Sequence, residues 1–129
     1  MMMYKEIIEL SSKASELTSI TNDVSKVIER SKLRNGFVVL VSQTPSSSIL
    51  LSLDDLLFKY DIKRFFKKLV DEDVFTHYKH AVPLLRSSIL QKSLFLPLLD
   101  GKLDLGDQDL LLIDFEDGKT RICVTIFGR

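Results

Sequence analysis

The 129-residue sequence predicts one α+β domain spanning residues 1–129: a mostly antiparallel sheet with a C-terminal β-meander and two or three helices packed on it. Two observations carry this. The last third is a series of apolar runs (93–99, 102–105, 110–115, 120–127) separated by Asp100-Gly101, the polar break 106–109 and Asp117-Gly118. An Asp-Gly pair readily takes the positive backbone angles of a tight hairpin turn, so two such pairs between apolar runs predict a meander. Upstream, two segments repeat apolar residues at helical spacing between strand-like runs.

Residues 4–10 predict a first strand, and the polar run 11–16 a loop or the start of a pairing strand. Ile20, Val24, Val27 and Ile28 then fall on one helical face. Ser19 or Thr21 is placed to cap that helix, Asp23 lies near its positive end, and Asn35-Gly36 is placed to stop it. Residues 37–41 form a continuous β-branched and aromatic run, which predicts a strand buried on both faces. After the interruption 43–48, residues 49–51 resume as strand or bulge. Ser52 or Asp54 opens a second helix with Phe58, Ile62, Phe65, Phe66 and Leu69 as its apolar stripe and Lys59, Lys63, Arg64, Lys67 and Lys68 opposite. Asp71-Glu72-Asp73 ends it. A polar connection holding His77 and His80 leads to a short helix from Pro83, over residues 84–90. Residues 110–113 are compatible with a strand covered on both sides, one side by a neighbouring subunit.

Composition excludes several classes. Eighteen Lys+Arg balance eighteen Asp+Glu, so the basic excess of a nucleic-acid binder is missing. Zero net charge leaves self-association unopposed. The single Cys123 has no partner for a disulfide or a thiol metal clip, which fits a reducing cytoplasm. The first residues lack the apolar core of a signal peptide, no run approaches a membrane span, and the tail reads as a final strand without a sorting signal.

Few residues carry chemistry. Thr44-Pro45-Ser46-Ser47-Ser48 follows a strand, where hydroxyls and loop amides can cradle a phosphate. The plainer alternative, a polar turn whose serines bond local backbone, is favoured by composition alone. No Gly-rich loop with a following Lys is present, which excludes a nucleotide loop. His77 and His80 have a spacing that could share a metal on a helix, but no third ligand accompanies them, so no metal site and no cofactor are assigned. The basic face of the second helix could meet an acidic partner or simply be its solvated side. Asp54 is suited to capping, Asp100 and Asp117 to turns, and Cys123 to the core.

Together these segments resemble the YjbQ family, often described as secondary thiamine-phosphate synthases. Ile20-Thr21-Asn22-Asp23-Val24 resembles the family's Ile-Thr-x-x-Val helix start. Gly36, the following strand and Thr44-Pro45-Ser46-Ser47-Ser48 resemble its Gly-strand-His-Thr-Thr/Ser-Ala-Ser element. Asp61 before Ile62, Tyr78-Lys79-His80, Arg86-Ser87-Ser88-Ile89-Leu90, Ser93 to Pro97, Leu103-Asp104-Leu105-Gly106 and Glu116-Asp117-Gly118 follow its later motifs. The polar signature departs from the pattern. The family's first His falls on Gln43 or on Thr44, according to the register between Gly36 and Asp61. Its Asn-Glu pair falls on Ser52-Leu53 or Leu51-Ser52, its second His on Leu84 and its Trp-Gln on Gln108-Asp109. Leucine can neither ligate a metal nor move a proton.

The resemblance implies a trimer with pockets near subunit boundaries. It implies a divergent member that binds a small phosphorylated ligand, with weak or no thiamine-phosphate-synthase-like activity. Gln43, Thr44, Ser46, Ser47 and Ser48 would contact the anion, Arg86 would neutralise it, and His80 would be the remaining proton carrier. A second expectation is a structural or interaction subunit partnering a complete relative in a mixed trimer. A third, an enzyme using His80 with Asp107 or Asp109, is weaker. Function belongs to the site and not to the fold.

Overall fold

The computed structural model describes all of residues 1–129. In chain order it contains β1 (Met2–Ser12), β2 (Glu16–Ser19), α1 (Thr21–Ser31), β3 (Gly36–Ser42), β4 (Ser47–Ser52), α2 (Leu56–Leu69), α3 (Ala81–Ile89), β5 (Ser93–Leu99), β6 (Lys102–Leu103), β7 (Asp109–Asp114) and β8 (Gly118–Gly128). Every strand pair is antiparallel. This is the α+β class that the sequence predicts.

The strands form two sheets, ordered β1-β8-β3-β5-β6 and β2-β7-β4. The main core lies between them and buries α1 through Val24, Val27 and Ile28, with Val38, Leu40, Leu96, Ile122, Val124 and Ile126 from the large sheet and Ile49, Leu110 and Leu112 from the small one. A second core covers the other face of the small sheet. There Ile62 and Phe66 of α2 meet Leu17, Leu111, Ile113 and Phe115. Helix α2 therefore lies on the small sheet, and α1 between the sheets.

Several expectations change in detail. All four C-terminal runs contribute strands, but only Asp100-Gly101 makes a hairpin, with both residues at positive φ joining β5 to β6. Strand β7 leaves the expected meander and pairs with β2 and β4, while β8 pairs with β1 and β3. The reason is burial. Residues 110–113 are apolar on both faces, and only the middle of a sheet covered on both sides can hide them. Their cover comes from within the chain, not from a neighbour. The link through Asp117 then crosses between sheets, its carboxylate accepting from the Ala14 N–H at 2.7 Å.

Strand β3 behaves in the opposite way. Val38 and Leu40 are buried, whereas Phe37, Val39 and Val41 occupy the outer face of the large sheet and are only partly covered. Helix α1 has no side-chain cap: the Thr21 hydroxyl is turned to β7, accepting from Leu110 N–H and donating to Asp109. The helix stops at Lys32, in the left-handed conformation, before Asn35-Gly36 is reached. Asp55, not Asp54 or Ser52, caps α2 by accepting from the amides of Leu57 and Phe58. In the α2 stripe Phe65 and Leu69 are exposed, so only Ile62 and Phe66 are fully buried. Helix α3 starts two residues before Pro83.

The junction of β3 and β8 fixes how closely the large sheet closes. Gly36 has φ of 152° and faces Gly128, and a Cβ on Gly36 would lie 1.9 Å from the Phe127 carbonyl oxygen. Two hydrogen bonds between Asn35 and Arg129, each 3.0 Å, continue the pairing past these glycines. Gly36→Ala is expected to destabilise the fold by about 3 kcal/mol through backbone collision and strain, read as a lowered urea midpoint with unchanged slope.

Candidate functional site

The turn between β3 and β4 carries the residues that the sequence singles out. Ser46, Ser47 and Ser48 are buried. Ser46 Oγ donates to Asp114 Oδ1 at 2.7 Å. Ser47 Oγ shares a 2.5 Å hydrogen bond with Ser42 Oγ and accepts from Thr120 Oγ1 at 2.7 Å. Ser48 Oγ lies 2.6 Å from Ser87 Oγ, and Ser87 Oγ lies 3.0 Å from the Ser47 carbonyl oxygen. The hydroxyls thus satisfy one another, Asp114 and the backbone, mostly through partners remote in the chain, where the plainer sequence reading supposes bonds to local backbone.

Two charged groups that the sequence reading passes over complete this network. Lys92 Nζ donates to the carbonyls of Thr44 (3.2 Å), Pro45 (3.0 Å) and Ser47 and to Ser87 Oγ (2.9 Å). Burial pushes its amine below the ordinary lysine value, while the Asp114 carboxylate acts in the opposite sense. Asp114 is buried and accepts from Ser46, from Ser12 Oγ at 3.2 Å and from Glu116 N–H at 3.0 Å. An acid closing an otherwise apolar run, and a lysine immediately before a strand, were the signals available in the sequence.

The remaining candidates lie around this network. Gln43 is exposed, and its N–H donates to the Arg121 carbonyl. Thr44 Oγ1 accepts from Arg121 N–H. His80 immediately precedes α3, with Nδ1 2.9 Å from Glu116 Oε1 and the Tyr78 ring set edge-on to it. Glu116 thus meets His80 with its carboxylate and Asp114 with its backbone N–H, so His80 and the Asp114–Ser46 pair are joined through the covalent frame of Glu116 and not by a continuous hydrogen-bond chain. Arg86, on the same helix, is 6% exposed and turns to other neighbours. Its Nη2 donates to the Val70 carbonyl at 2.9 Å, at the C-terminal end of α2, where a cation is favoured. Glu72 stands 3.7 Å away, and Nε has no partner. Arg86 also lines a hollow of about 340 Å³ with Ser15, Lys63, Lys67, Glu72 and Phe115.

His77, Asp61 and Asp107 are exposed, and Asp109 is engaged by Thr21. Cys123 is buried. No three His, Cys, Asp or Glu side chains converge as metal ligands would. No helix is long and apolar enough to cross a membrane.

This two-sheet arrangement matches known proteins. The profile of the UPF0047 protein YjbQ-like family matches residues 6–129. The chain belongs to this family. A UPF0047 protein of Methanothermobacter thermautotrophicus is 30% identical over 126 residues, covering 92% of this chain and 87% of that protein. Another from Archaeoglobus fulgidus is 28% identical, covering 84% and 88%. Among solved structures, a YbjQ-like protein of unknown function from Sulfolobus solfataricus superposes with a TM-score of 0.86 at 24% identity, covering 99% of both chains. An uncharacterised YjbQ/UPF0047 protein of Clostridium acetobutylicum gives 0.81 at 21%, covering 92% and 97%. At these identities the structures speak for the fold alone.

In this YjbQ-like chain, Lys92 is the group that most directly holds the serine turn. Lys92→Met is expected to lower the unfolding free energy by about 1–2 kcal/mol at neutral pH, since hydrogen bonds to a charged donor are lost. The pH dependence has a defined sign. The amine's folded pKa lies below its unfolded value, so between the two the unfolded chain holds the extra proton. Stability therefore rises with pH in the window just below the ordinary lysine pKa. Urea titrations across that alkaline range should show a rise in wild type that Lys92→Met lacks.

Proposed function

We propose that this YjbQ-family chain binds a small phosphorylated ligand in the cytoplasm as a trimer, with thiamine-phosphate-synthase-like turnover weak or lost. Arg86 carries the reading. Its guanidinium is almost wholly buried, permanently charged and spends one of its five N–H donors on Val70. It borders a hollow, and its acidic neighbour Glu72 is itself mostly exposed at 3.7 Å, too distant to neutralise it fully. A phosphate satisfies such a planar fork in two-pronged fashion. His80, oriented by Glu116, is the group available to move a proton. Ser46, Ser47 and Ser48 hold the turn in shape, and direct contact with the anion would require their network to open. Thr44 and Gln43 stand at its outer end.

The reading predicts measurable phosphate binding by titration calorimetry. Arg86→Gln is expected to weaken it roughly tenfold or more while far-UV dichroism stays unchanged. Equal affinity in both proteins would dismiss the proposal. His80→Gln is expected to leave binding intact and to abolish whatever turnover of thiamine precursors the wild type shows.

The outer face of the large sheet favours association, whether of identical copies or of this chain as a structural subunit beside a complete relative. Register aligns Met3, Phe127, Phe37 and Pro97 in one row and Thr125, Val39 and Phe95 in the next. Phe37 stacks on Phe95 and on Phe127, with ring centroids 4.5 and 5.1 Å apart, and Phe95 remains 68% exposed. Contiguous apolar patches of this kind mark interaction surfaces. Light scattering is expected to give a trimer for wild type and a smaller species for Phe95→Lys. An unchanged mass for that variant would remove this face from the assembly.

A further inference from the structure

The basic face of α2 has no role in the network around the serine turn. Lys59, Lys63 and Lys67 recur every four residues and so form one column along the helix. Lys59 is paired with Asp54 at 2.8 Å, but no carboxylate comes within ion-pairing distance of Lys63 or Lys67. Like charges four residues apart repel by a few tenths of a kcal/mol in an isolated helix. A solvated helix face tolerates that cost. This column, however, does not simply face open water.

It borders two adjoining hollows. The first is the one holding Arg86, where Lys63 and Lys67 bring two more cations and Glu72 is the sole acid. The second, of about 390 Å³, is lined by Leu17, Leu56 and Tyr60 together with Glu16 and Lys59. Ser15 and Lys63 line both, so the two are parts of one groove. One end is cationic and backed by a buried arginine with uncommitted donors. The other is mixed: Leu17, Leu56 and the Tyr60 ring, 65% exposed, form its apolar wall, and Glu16 and Lys59 flank them with opposite charges.

We propose that this groove is a binding site for a phosphate monoester with a flat apolar body. The phosphate lies among Lys63, Lys67 and Arg86, and the body lies against Tyr60 and Leu56. Resting on the Arg86 reading above, the proposal adds the lysine column and the aromatic end. A dianion between Lys63 and Lys67 replaces their repulsion by two attractions. Tyr60 and Leu56 offer apolar contact that a bare phosphate cannot use.

The test is calorimetry at low salt with inorganic phosphate, phenyl phosphate and phenol. Phenyl phosphate is expected to bind wild type about tenfold tighter than phosphate, with phenol weaker than either. Lys63→Gln and Lys67→Gln, both at exposed positions, are each expected to weaken the two anions several-fold. Tyr60→Ala is expected to erase the advantage of phenyl phosphate and leave inorganic phosphate unchanged. Phosphate binding that depends on Arg86 but ignores both lysine substitutions would sink the groove and spare the Arg86 reading. No phosphate binding at all would sink both. Equal affinity of wild type for phosphate and phenyl phosphate would overturn the two-part site. Co-sedimentation with vesicles containing phosphatidic acid, without binding of phenyl phosphate, would assign the cations to a lipid headgroup and overturn the proposal as well.

Discussion

Strand β7 is the constraint on which the architecture rests. Its side chains alternate between two separate cores: Leu110 and Leu112 enter the layer between the sheets, and Leu111 and Ile113 enter the layer beneath α2. A strand with no polar face cannot sit at an edge or against water, so two other strands must flank it and a layer must cover each side. Strands β2 and β4 supply the flanks; α2 and the large sheet supply the covers. Large-to-small replacements here would open cavities in both layers, because the small sheet is their shared wall.

The polar end of the same strand joins the two sheets. Asp114 is the last residue of β7, and its carboxylate meets Ser12 at the end of β1 and Ser46 just before β4. Thr120 of β8 reaches Ser47, so large-sheet and small-sheet residues share one buried network. A buried carboxylate is tolerated only when its oxygens are occupied, and here three donors occupy them. The serine turn is consequently part of the framework. Donors not committed to this network border it on Arg86 and along α2.

The fold class was legible because it depends on apolar pattern. The alternation in β8, the helical spacing in α1 and the positive-φ pair Asp100-Gly101 each act locally. Strand pairing was less legible. Asp117-Gly118 has the composition of a hairpin turn, yet the chain there passes between sheets, since burial of β7 on two faces outweighs local turn preference. The double-sided burial expected of residues 37–41 belongs to β7 instead; a run such as Phe37, Val39 and Val41 looks the same whether its outer face is covered or bare. For the site, the serines could be named but their direction could not, because hydroxyls that bond inward and hydroxyls that bind a ligand have identical sequence. Lys92 and Asp114 went unseen because their partners are remote in the chain: Asp114 and Ser46 are 68 positions apart.

The position of β8 also governs the order in which the chain can assemble. It lies between β1 and β3, pairing with β1 residues more than a hundred positions earlier and with β3 residues 80 to 92 positions earlier. During synthesis β1 and β3 emerge without the strand that joins them, leaving ladder groups and the apolar faces of both open. The large sheet can close only after residues 118–128 leave the ribosome, and such non-local closure is slow. Until then the nascent chain presents bare edges to its surroundings, the state in which a β-rich chain is most prone to aggregate.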